Sequence, residues 1–505
     1  MKKLSLALAL ISLVFCVACG SNGIGGLIGN GHFSNTSLKG NYVYQITGWD
    51  FSSGSPVPYQ EAGVFAANGS GTITSGTDDF TEESSGGVGT STDSGTYSIA
   101  SDGTGTLTLN FSGGGSLTLD LTMASPSKVY MIEADDLNAT GLAELQSSTT
   151  LPTSATSFVF KQHSVSATQD FSTVGQITIA ADGSVTGSDD INRSGTINGG
   201  NGTTNPLTLT SGSSFAAPTA NGRGTATIID STGTTDFVYY IVDSNNFRFL
   251  VSDVGVVGAG RAEAQSGAPF TTDPLSGNSY AFGSRADDNY SIGGVNTVGS
   301  FSASSGAISG GLLDSAVDAA TSYADVPINS GGAYTPVTTS GRTVVTFSTG
   351  IPSNVTQVFW MVNPSRAFFL TFIDSIDISK IEDGTADEQQ GTFTNSSLNG
   401  QYAFSMDGFD ANAGVYVDRV GWIQWNGSGS LTWNEAVNDS GSISSPGALS
   451  GTYAVGTNGR AAATVNSLSY NNDDIVFYLV SGTNAYILEN DPGVEINGTM
   501  TQQSQ

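Results

Sequence analysis

The chain has 505 residues, enough for roughly three to five ordinary domains, and 44 Asp and Glu against 15 Lys and Arg give it a formal net charge of -29. That charge excludes nucleic acid as a partner and makes the body itself repel an anionic membrane surface. Only 12% of the residues are charged, 66 are glycine, and short β-branched and aromatic runs replace long helical patterns. This composition favours an all-β fold.

The first residues have the pattern of an export signal. Lys2 and Lys3 form a basic start, and the apolar run over residues 4–17 is about as long as a signal-peptide core but too short to span a membrane comfortably. Small residues stand directly before Cys19. This segment resembles the lipobox of bacterial lipoproteins, although Cys16 occupies the position where leucine is usual.

The resemblance implies a signal peptide over residues 1–18 and acylation of Cys19, so that the protein contacts the membrane through its lipid. Gly20 and Ser21 follow the cysteine in place of aspartate, a feature that resembles lipoproteins of the outer membrane. An ordinary secretory signal cut near Ala18, or an uncut anchor, is the alternative. The 2 cysteines both lie in this segment, so no internal disulfide is expected. Residues 19–32 are predicted to be a flexible, Gly-rich tether.

Internal repeats divide the remaining chain into four modules. The motif that opens the first module, at residues 38–50, returns at residues 398–410. The closing motif at residues 141–146 returns three times, and an aspartate precedes each copy. The aspartates are Asp135, Asp253, Asp374 and Asp491. The predicted β modules cover residues 33–148, 149–268, 269–391 and 392–505.

Within a module the apolar period is two residues, as in Tyr42, Tyr44 and Ile46, which indicates strands with one buried face. Asn-Gly pairs at Asn68 and Asn426 lie between such runs and are typical of hairpins. About 115 residues with seven or eight hairpin-linked strands predict an up-and-down β-barrel of the lipocalin or avidin kind, which leaves no exposed sheet edge. A β-sandwich is the alternative.

Signals for catalysis are thin. Of the 2 histidines, His32 lies in the tether and His163 is expected on a strand surface, which leaves neither a catalytic triad nor a zinc site. If adjacent acidic residues lay in a strand, they would point to its opposite faces and could not converge on one glycosidic bond. We expect them in turns instead, like the repeated aspartates. The adjacent pairs are Asp78-Asp79, Asp189-Asp190 and Asp473-Asp474. No cofactor, no metal and no enzymatic activity are predicted.

Module 4 holds three of the 5 tryptophans, Trp422, Trp425 and Trp433. A three-residue hairpin loop ending at Gly429 separates apolar from polar side chains, because it places Trp425 opposite Leu431. Trp425 and Trp433 are then predicted inside the barrel, with Trp425 near its mouth, and Trp422 outside. The indoles either add core packing or form a platform on which a sugar ring stacks.

Two functions remain open. The first is a non-catalytic envelope lipoprotein that binds a glycan or another envelope polymer, with weak sites in series that gain avidity. The second is a structural or adhesive spacer without a small ligand. A secreted glycoside hydrolase is a third and less favoured alternative. A glycan array screen separates the first two, and the most informative single observation is a module structure that shows whether the barrel interior is filled or hollow.

Overall fold

The computed structural model describes residues 32–51, 56–83, 88–166, 169–200, 202, 205–287, 294–317, 321–349, 355–373, 381–466 and 473–505. The predicted signal peptide, Cys19, most of the predicted tether and Asp374 lie outside these residues. Within them the chain is antiparallel β structure with three short 3-10 turns, and none of its helices is long and apolar enough to cross a membrane. Gly31–Gln505 form one compact unit.

Barrel 1 is a closed barrel of eight antiparallel strands in sequence order, in which the last strand pairs back with the first. Its strands are β1 (Lys39–Asp50), β2 (Val57–Asn68), β3 (Thr72–Glu82), β4 (Gly89–Ile99), β5 (Thr104–Phe111), β6 (Ser116–Ser125), β7 (Lys128–Glu133) and β8 (Asn138–Leu145). Tyr42, Tyr44 and Ile46 of β1 all point into its core, as the two-residue period predicts.

Barrel 2 is built from a curled sheet that does not close fully. Its strands are β9 (Thr156–Ser166), β10 (Gln169–Ile179), β11 (Val185–Arg193), β12 (Thr196–Ile197), β13 (Leu207–Thr208), β14 (Ser214–Phe215), β15 (Arg223–Ile229), β16 (Thr234–Asp243), β17 (Asn246–Val251) and β18 (Val256–Ala264). The gap between β11 and β14 is spanned by β13 and by one bridge from Ser184 to Ser214. The sequence before Pro206 is rich in Gly and Asn, and such residues favour turns over a continuous strand.

Barrels 3 and 4 are closed. The strands of barrel 3 are β19 (Ser279–Asp287), β20 (Val295–Ser304), β21 (Ala307–Val317), β22 (Thr321–Tyr334), β23 (Arg342–Thr349), β24 (Val355–Asn363), β25 (Arg366–Ile373) and β26 (Ile381–Glu388). Those of barrel 4 are β27 (Asn399–Asp410), β28 (Val415–Asn426), β29 (Ser430–Asp439), β30 (Ser442–Ser444), β31 (Leu449–Val455), β32 (Arg460–Val465), β33 (Asp473–Leu479), β34 (Asn484–Glu489) and β35 (Val494–Gln502). Pairing of β28 with β29 closes barrel 4 and leaves β30 as an appendage. The all-β prediction of four up-and-down barrels is confirmed, and the sandwich alternative is wrong.

The barrel interiors are filled with side chains rather than hollow. Each described barrel has its own cluster of buried apolar residues, dominated by tyrosine, phenylalanine, leucine and isoleucine. The interior void of barrel 2, beside Phe215 and Tyr239, measures about 20 Å³, which is space for roughly one water molecule. The described residues therefore leave no lipocalin-like ligand chamber inside this barrel.

The four barrels form a closed ring, because the outer strand faces are also apolar and pack against one another. One apolar cluster crosses each junction, and the sequence period of two residues gave no sign of this second buried face. The clusters bring together Val43 with Tyr240 (barrels 1 and 2), Val159 with Trp360 (2 and 3), Ala281 with Tyr478 (3 and 4), and Tyr130 with Val420 (1 and 4). The junction of barrels 4 and 1, which we call the seam, closes the ring.

The glutamine of the repeated closing motif joins each barrel to the next. Gln146 of barrel 1 donates both side-chain N–H groups to the carbonyl oxygens of Asn221 and Ile241 in barrel 2, at 2.9 and 2.7 Å. Gln265 and Gln389 make the corresponding pairs of bonds. At the seam, Gln503 donates to the carbonyl oxygens of Asp102 and Met123 of barrel 1, at 3.0 and 2.8 Å. The same hydrogen bonds therefore occur four times around the ring.

The adjacent acidic pairs lie in strands β3, β11 and β33, so the prediction that they sit in turns is wrong. The opposite-face argument holds: Asp78 points into barrel 1, where Tyr44 binds it, and Asp79 points out into the junction with barrel 2. The repeated aspartates bond backbone as predicted, but mostly beyond their own turn. Asp135 accepts the N–H group of Leu137 in its own turn at 3.3 Å, whereas Asp135 and Asp491 accept the N–H groups of Thr118 and Asp474, 17 residues away, at 3.1 Å.

Asp79 belongs to a set that we call the Asp–Arg triad. Arg223 of barrel 2 binds its carboxylate with two N–H groups, at 2.6 and 2.8 Å, and the hydroxyl of Tyr240 donates to it as well. The same arrangement occurs at the next two junctions. Its members there are Asp190, Arg342 and Trp360, and Asp314, Arg460 and Tyr478. All three carboxylates are fully buried.

The seam lacks this triad among its described residues. The strand register puts Ala436 at the position of the aspartate, because Ala436 pairs with Val420 as Asp314 pairs with Val298. Thr104 and its partner Thr122 occupy the positions of the arginine and the aromatic residue. The seam is held instead by hydrogen bonds such as those of Asn138 and Asn438, whose side chains each donate to a backbone carbonyl of the other barrel, at 2.9 and 2.8 Å.

Candidate binding site at the centre of the ring

A cavity of about 610 Å³ lies where the outer faces of all four barrels converge. Its walls come from the first, seventh and eighth strands of the barrels, represented by Gln45, His163, Arg285 and Thr499. The volume falls within the range of roughly 300–1,000 Å³ that is common for ligand sites.

Basic residues are concentrated in this cavity although the chain as a whole is strongly acidic. Six of the 15 Lys and Arg residues line it, together with one of the 2 histidines. The six are Lys128, Lys161, Arg248, Arg261, Arg285 and Arg366. Only two carboxylates, Asp383 and Asp387, are part of the lining itself. The net charge of the residues that line the cavity is thus opposite in sign to the protein's net charge of -29.

Several of these basic residues pair with acids of a neighbouring barrel. Lys161 of barrel 2 lies 2.6 Å from a carboxylate oxygen of Asp383 in barrel 3, and His163 lies 3.2 Å from the other. Burial alone would raise the pKa of Asp383, but Lys161 and His163 outweigh it and hold the pKa well below its usual range. Arg248 pairs with Glu144 of barrel 1 in the same way. These pairs hold the ring together around the cavity.

Arg261 is less completely paired than its neighbours. Arg366 lies between two carboxylates, 2.8 Å from Glu263 and 2.7 Å from Asp387. The Nε atom of Arg261 is 3.6 Å from Glu263, and its Nη2 atom donates to the hydroxyl of Thr385 at 2.9 Å. Burial lowers the pKa of Arg261, and repulsion from Arg366 and Arg248 adds to that effect against the attraction of Glu263. The guanidinium groups are therefore crowded on this wall.

Lys128 has neutral partners. Its ammonium group donates to the hydroxyl of Thr501 at 3.2 Å and lies 4.8 Å from the centre of the Tyr130 ring. Among the described residues no carboxylate oxygen lies within ion-pair distance of this group. Its cross-strand partner Glu144 pairs with Arg248, and burial, which raises the pKa of Glu144, is outweighed by Arg248 with a smaller contribution from Lys128. Lys128 is therefore a cation of the wall that has no direct ion pair among the described residues.

The repeat fold does not itself require the basic residues, because equivalent positions in the other barrels carry different side chains. The strand register aligns Arg261 of barrel 2 with Leu142, Thr385 and Thr499. It aligns Lys161 with Gln45, Gly283 and Ser405. A neutral residue at both positions is compatible with the barrel and with the ring.

The fold places two of the three tryptophans predicted as binding residues in the core of barrel 4 and the third outside it. The hairpin register is as predicted, with Trp425 opposite Leu431 and Trp433 opposite Ile423, and Gly429 has a φ of 112°. Trp425 is 0% exposed, with Tyr453 and Phe477 edge-on to its ring. Trp433 is also buried in the core. Stacking of a sugar on Trp425 stays a prediction, and it requires the surrounding core to open.

Trp422 points out of barrel 4, as predicted, but it faces the seam. Its indole N–H donates to a carboxylate oxygen of Asp102 in barrel 1, at 3.1 Å. Six residues earlier on β28, the ring of Tyr416 stacks on Trp49 of barrel 1, with ring centres 4.7 Å apart. These aromatic side chains therefore join barrel 4 to barrel 1.

Two buried groups of carboxylates could not be located from the sequence, because each combines residues from separate strands. In barrel 1, Glu61 and Asp78 both bind the hydroxyl of Tyr44, at 2.6 and 3.0 Å. Burial raises the pKa of Glu61 to about 7 and that of Asp78 to about 10, and each is 4% exposed. A polymeric substrate has no access to this pair.

The second group lies in barrel 4, where Asp473, Glu489 and Asp491 place oxygen atoms within 4.8 Å of one another. Arg419 lies 3.1 Å from Glu489 and 3.9 Å from Asp473. The guanidinium group thus supplies positive charge where a metal ion would otherwise be needed.

No known family model and no curated protein matches this chain. Solved structures that resemble it include a double mutant of transferrin binding protein B from Haemophilus parasuis, with 10% identity, 75% of this chain and 84% of that chain covered, and a TM-score of 0.19. Transferrin binding protein B from serogroup B Neisseria meningitidis has 10% identity, 75% and 84% coverage, and a TM-score of 0.18. Likeness at these scores carries no conclusion about function.

Proposed function

We propose that this chain is an exported lipoprotein, acylated at Cys19, whose ring of barrels is a non-catalytic binding body of the bacterial cell envelope. The central cavity is its site for a glycan or another envelope polymer. The lipobox resemblance supports the anchor, and Gly20 and Ser21 after the cysteine favour the outer membrane.

One observation carries the choice of site. All four barrels direct charged and hydroxyl side chains into a single cavity of about 610 Å³, while their interiors are packed with apolar side chains. A polar ligand needs hydrogen-bonding partners, and the ring centre offers them in a cavity, whereas the polar groups inside barrels 1 and 4 are buried and bind one another.

The anchor is tested by Cys19→Ser. Loss of the acyl chains removes the main membrane contact, because each buried CH₂ contributes about 0.8 kcal/mol. The variant is expected to leave the membrane fraction or to accumulate unprocessed. Normal cleavage with retention in the membrane fraction would show that the anchor is not at Cys19.

The site is tested by filling the cavity. Labelled wild-type protein is applied to a glycan array, and the glycans it retains are titrated against Thr47→Trp, which places an indole in the cavity wall. The matched control is Thr106→Trp on the exposed face of barrel 1. We expect loss of binding in the first variant only. Retention of no glycan by the wild type would favour the spacer function, and equal binding by both variants would move the site elsewhere.

A further inference from the structure

The carboxylates around the central cavity are already engaged. Glu144 binds Arg248, Glu263 binds Arg366, and Asp383 binds Lys161. Asp387 accepts from Arg366 and from the hydroxyl of Tyr486, and Asp407 pairs with Arg285. A cationic ligand would have to displace one of these arginines or lysines.

The groups with spare capacity are cationic. Arg261 has one distant carboxylate and a neutral hydroxyl as partners, and Lys128 has a hydroxyl and an aromatic ring. The side chain of Arg261 is 23% exposed. An oxyanion beside Arg261 would gain charge-assisted hydrogen bonds and would relieve the repulsion among the guanidinium groups of Arg248, Arg261 and Arg366.

The remaining wall suits a sugar. Tyr130, Thr499 and Thr501 offer hydroxyl groups beside Lys128, and Asn484 and Asn497 offer amides. Such groups donate to and accept from ring hydroxyls without a charge. The combination of a few cations with many neutral polar groups matches a ligand that carries occasional negative charges on a hydroxylated chain.

We propose, on the basis of the function proposed above, that the central cavity binds an oxyanion, a carboxylate or phosphate group borne by a sugar polymer, through Arg261 with Lys128 as a second cationic contact. The other basic residues keep their place in the ion pairs that join the barrels. The other barrels carry uncharged residues at the position of Arg261. Barrel 2 therefore supplies the cation that makes this pseudo-symmetric cavity selective for an anion.

The test is calorimetric titration of the full chain in detergent with three probes: trigalacturonate, which carries carboxylates, inorganic phosphate, and neutral maltotriose. Wild type is expected to bind trigalacturonate or phosphate, and the one it prefers identifies the charged group. Arg261→Gln is expected to weaken that binding by at least about tenfold, the usual effect of losing one hydrogen bond to a charged group. Arg193→Gln, whose guanidinium lies over Phe171 outside the cavity lining, is the matched control and is expected to bind like wild type.

Lys128→Gln serves as the second variant if Arg261→Gln fails to fold, and it is expected to weaken binding in the same direction. Equal binding of maltotriose by wild type and Arg261→Gln would overturn the oxyanion proposal and leave the glycan-binding function standing. Absence of binding to all three probes would also overturn it, and the glycan array then decides the proposed function independently. Unchanged affinity of both charge variants for an anionic probe would place the anion site outside the cavity.

Discussion

Three junctions of the ring carry a buried Asp–Arg triad, whereas the seam between barrels 4 and 1 has Ala436 and two threonines at the same positions. All four junctions nevertheless share the closing glutamine and an apolar cluster. The glutamine and the apolar face are therefore common to every junction, whereas among the described residues the triad occurs only at junctions between consecutive modules. The seam joins modules that are far apart in sequence and closes with neutral contacts at those positions.

The largest expected effect comes from breaking a triad. Asp190→Ala removes the buried carboxylate that the guanidinium of Arg342 and the indole N–H of Trp360 share as an acceptor. Removal of one partner of a buried ion pair typically costs about 3–5 kcal/mol, so the free energy of unfolding measured by denaturant titration should fall by that order. Asp136→Ala, at an exposed position, is the control. A loss no larger than that of the control would contradict a stabilising triad.

A smaller effect is expected when the triad is introduced at the seam. Ala436→Asp buries a carboxylate without a partner and should cost about 1–3 kcal/mol. Thr104→Arg in the same chain supplies the guanidinium at the position that faces it in the other junctions, and most of the loss should be recovered. The double-mutant cycle measures this coupling. Purely additive effects of the two substitutions would mean that the seam differs in geometry from the other junctions.

Replacement of the closing glutamine should lower the free energy of unfolding at the seam as much as at the other junctions. Gln503→Ala and Gln265→Ala each leave two carbonyl oxygens without their side-chain donors. We expect each to lower the free energy of unfolding by about 1–2 kcal/mol. A negligible effect of Gln503→Ala beside a clear effect of Gln265→Ala would show that the seam glutamine does not hold the ring.

The smallest expected effect is a pH dependence of stability, which comes from one carboxyl group on the face of β28 that lies at the seam. Burial raises the pKa of Asp418 well above its usual range, and the opposing attraction of Arg285 is weaker. Because the folded-state pKa lies above the unfolded value, the neutral carboxyl favours the folded state at low pH, and this contribution is lost as pH rises through the folded pKa. Asp418→Asn should therefore match wild type in melting temperature under acidic conditions and exceed it increasingly towards alkaline pH. A difference that is constant with pH would contradict this ionisation.

Much of the fold could be predicted from the sequence because the repeat and the strand period are local patterns. The Asn-Gly turns and the apolar alternation around Tyr42 specify hairpins, and the register beside Trp425 follows from separating polar from apolar faces. The incomplete closure of barrel 2 was not predicted, because the Gly-rich sequence before Pro206 resembles the other Gly-rich turns of the chain.

The ring and its cavity depend on contacts between modules, and a local sequence pattern does not indicate such contacts. A signal was nevertheless present: Arg223, Arg342 and Arg460 recur at spacings of 119 and 118 residues, close to the module length, in a chain with 15 basic residues. A repeated arginine in such an acidic chain indicates a repeated buried acceptor. The cavity residues gave no comparable signal, because Lys161 and Arg261 occur in one module and differ in the others.

Closure of the ring is tested most directly by a disulfide across the seam. The hydroxyl oxygens of Thr140 in barrel 1 and Ser405 in barrel 4 lie 2.9 Å apart, within reach of a disulfide bond. In a Cys19→Ser background, a chain with Thr140→Cys and Ser405→Cys is oxidised and its free thiols are counted by mass spectrometry, with Thr106→Cys and Ser405→Cys as the control pair. A closed ring predicts a quantitative intramolecular disulfide in the first chain and free thiols in the control. Free thiols in both chains, with native structure retained, would contradict the ring and with it the central cavity.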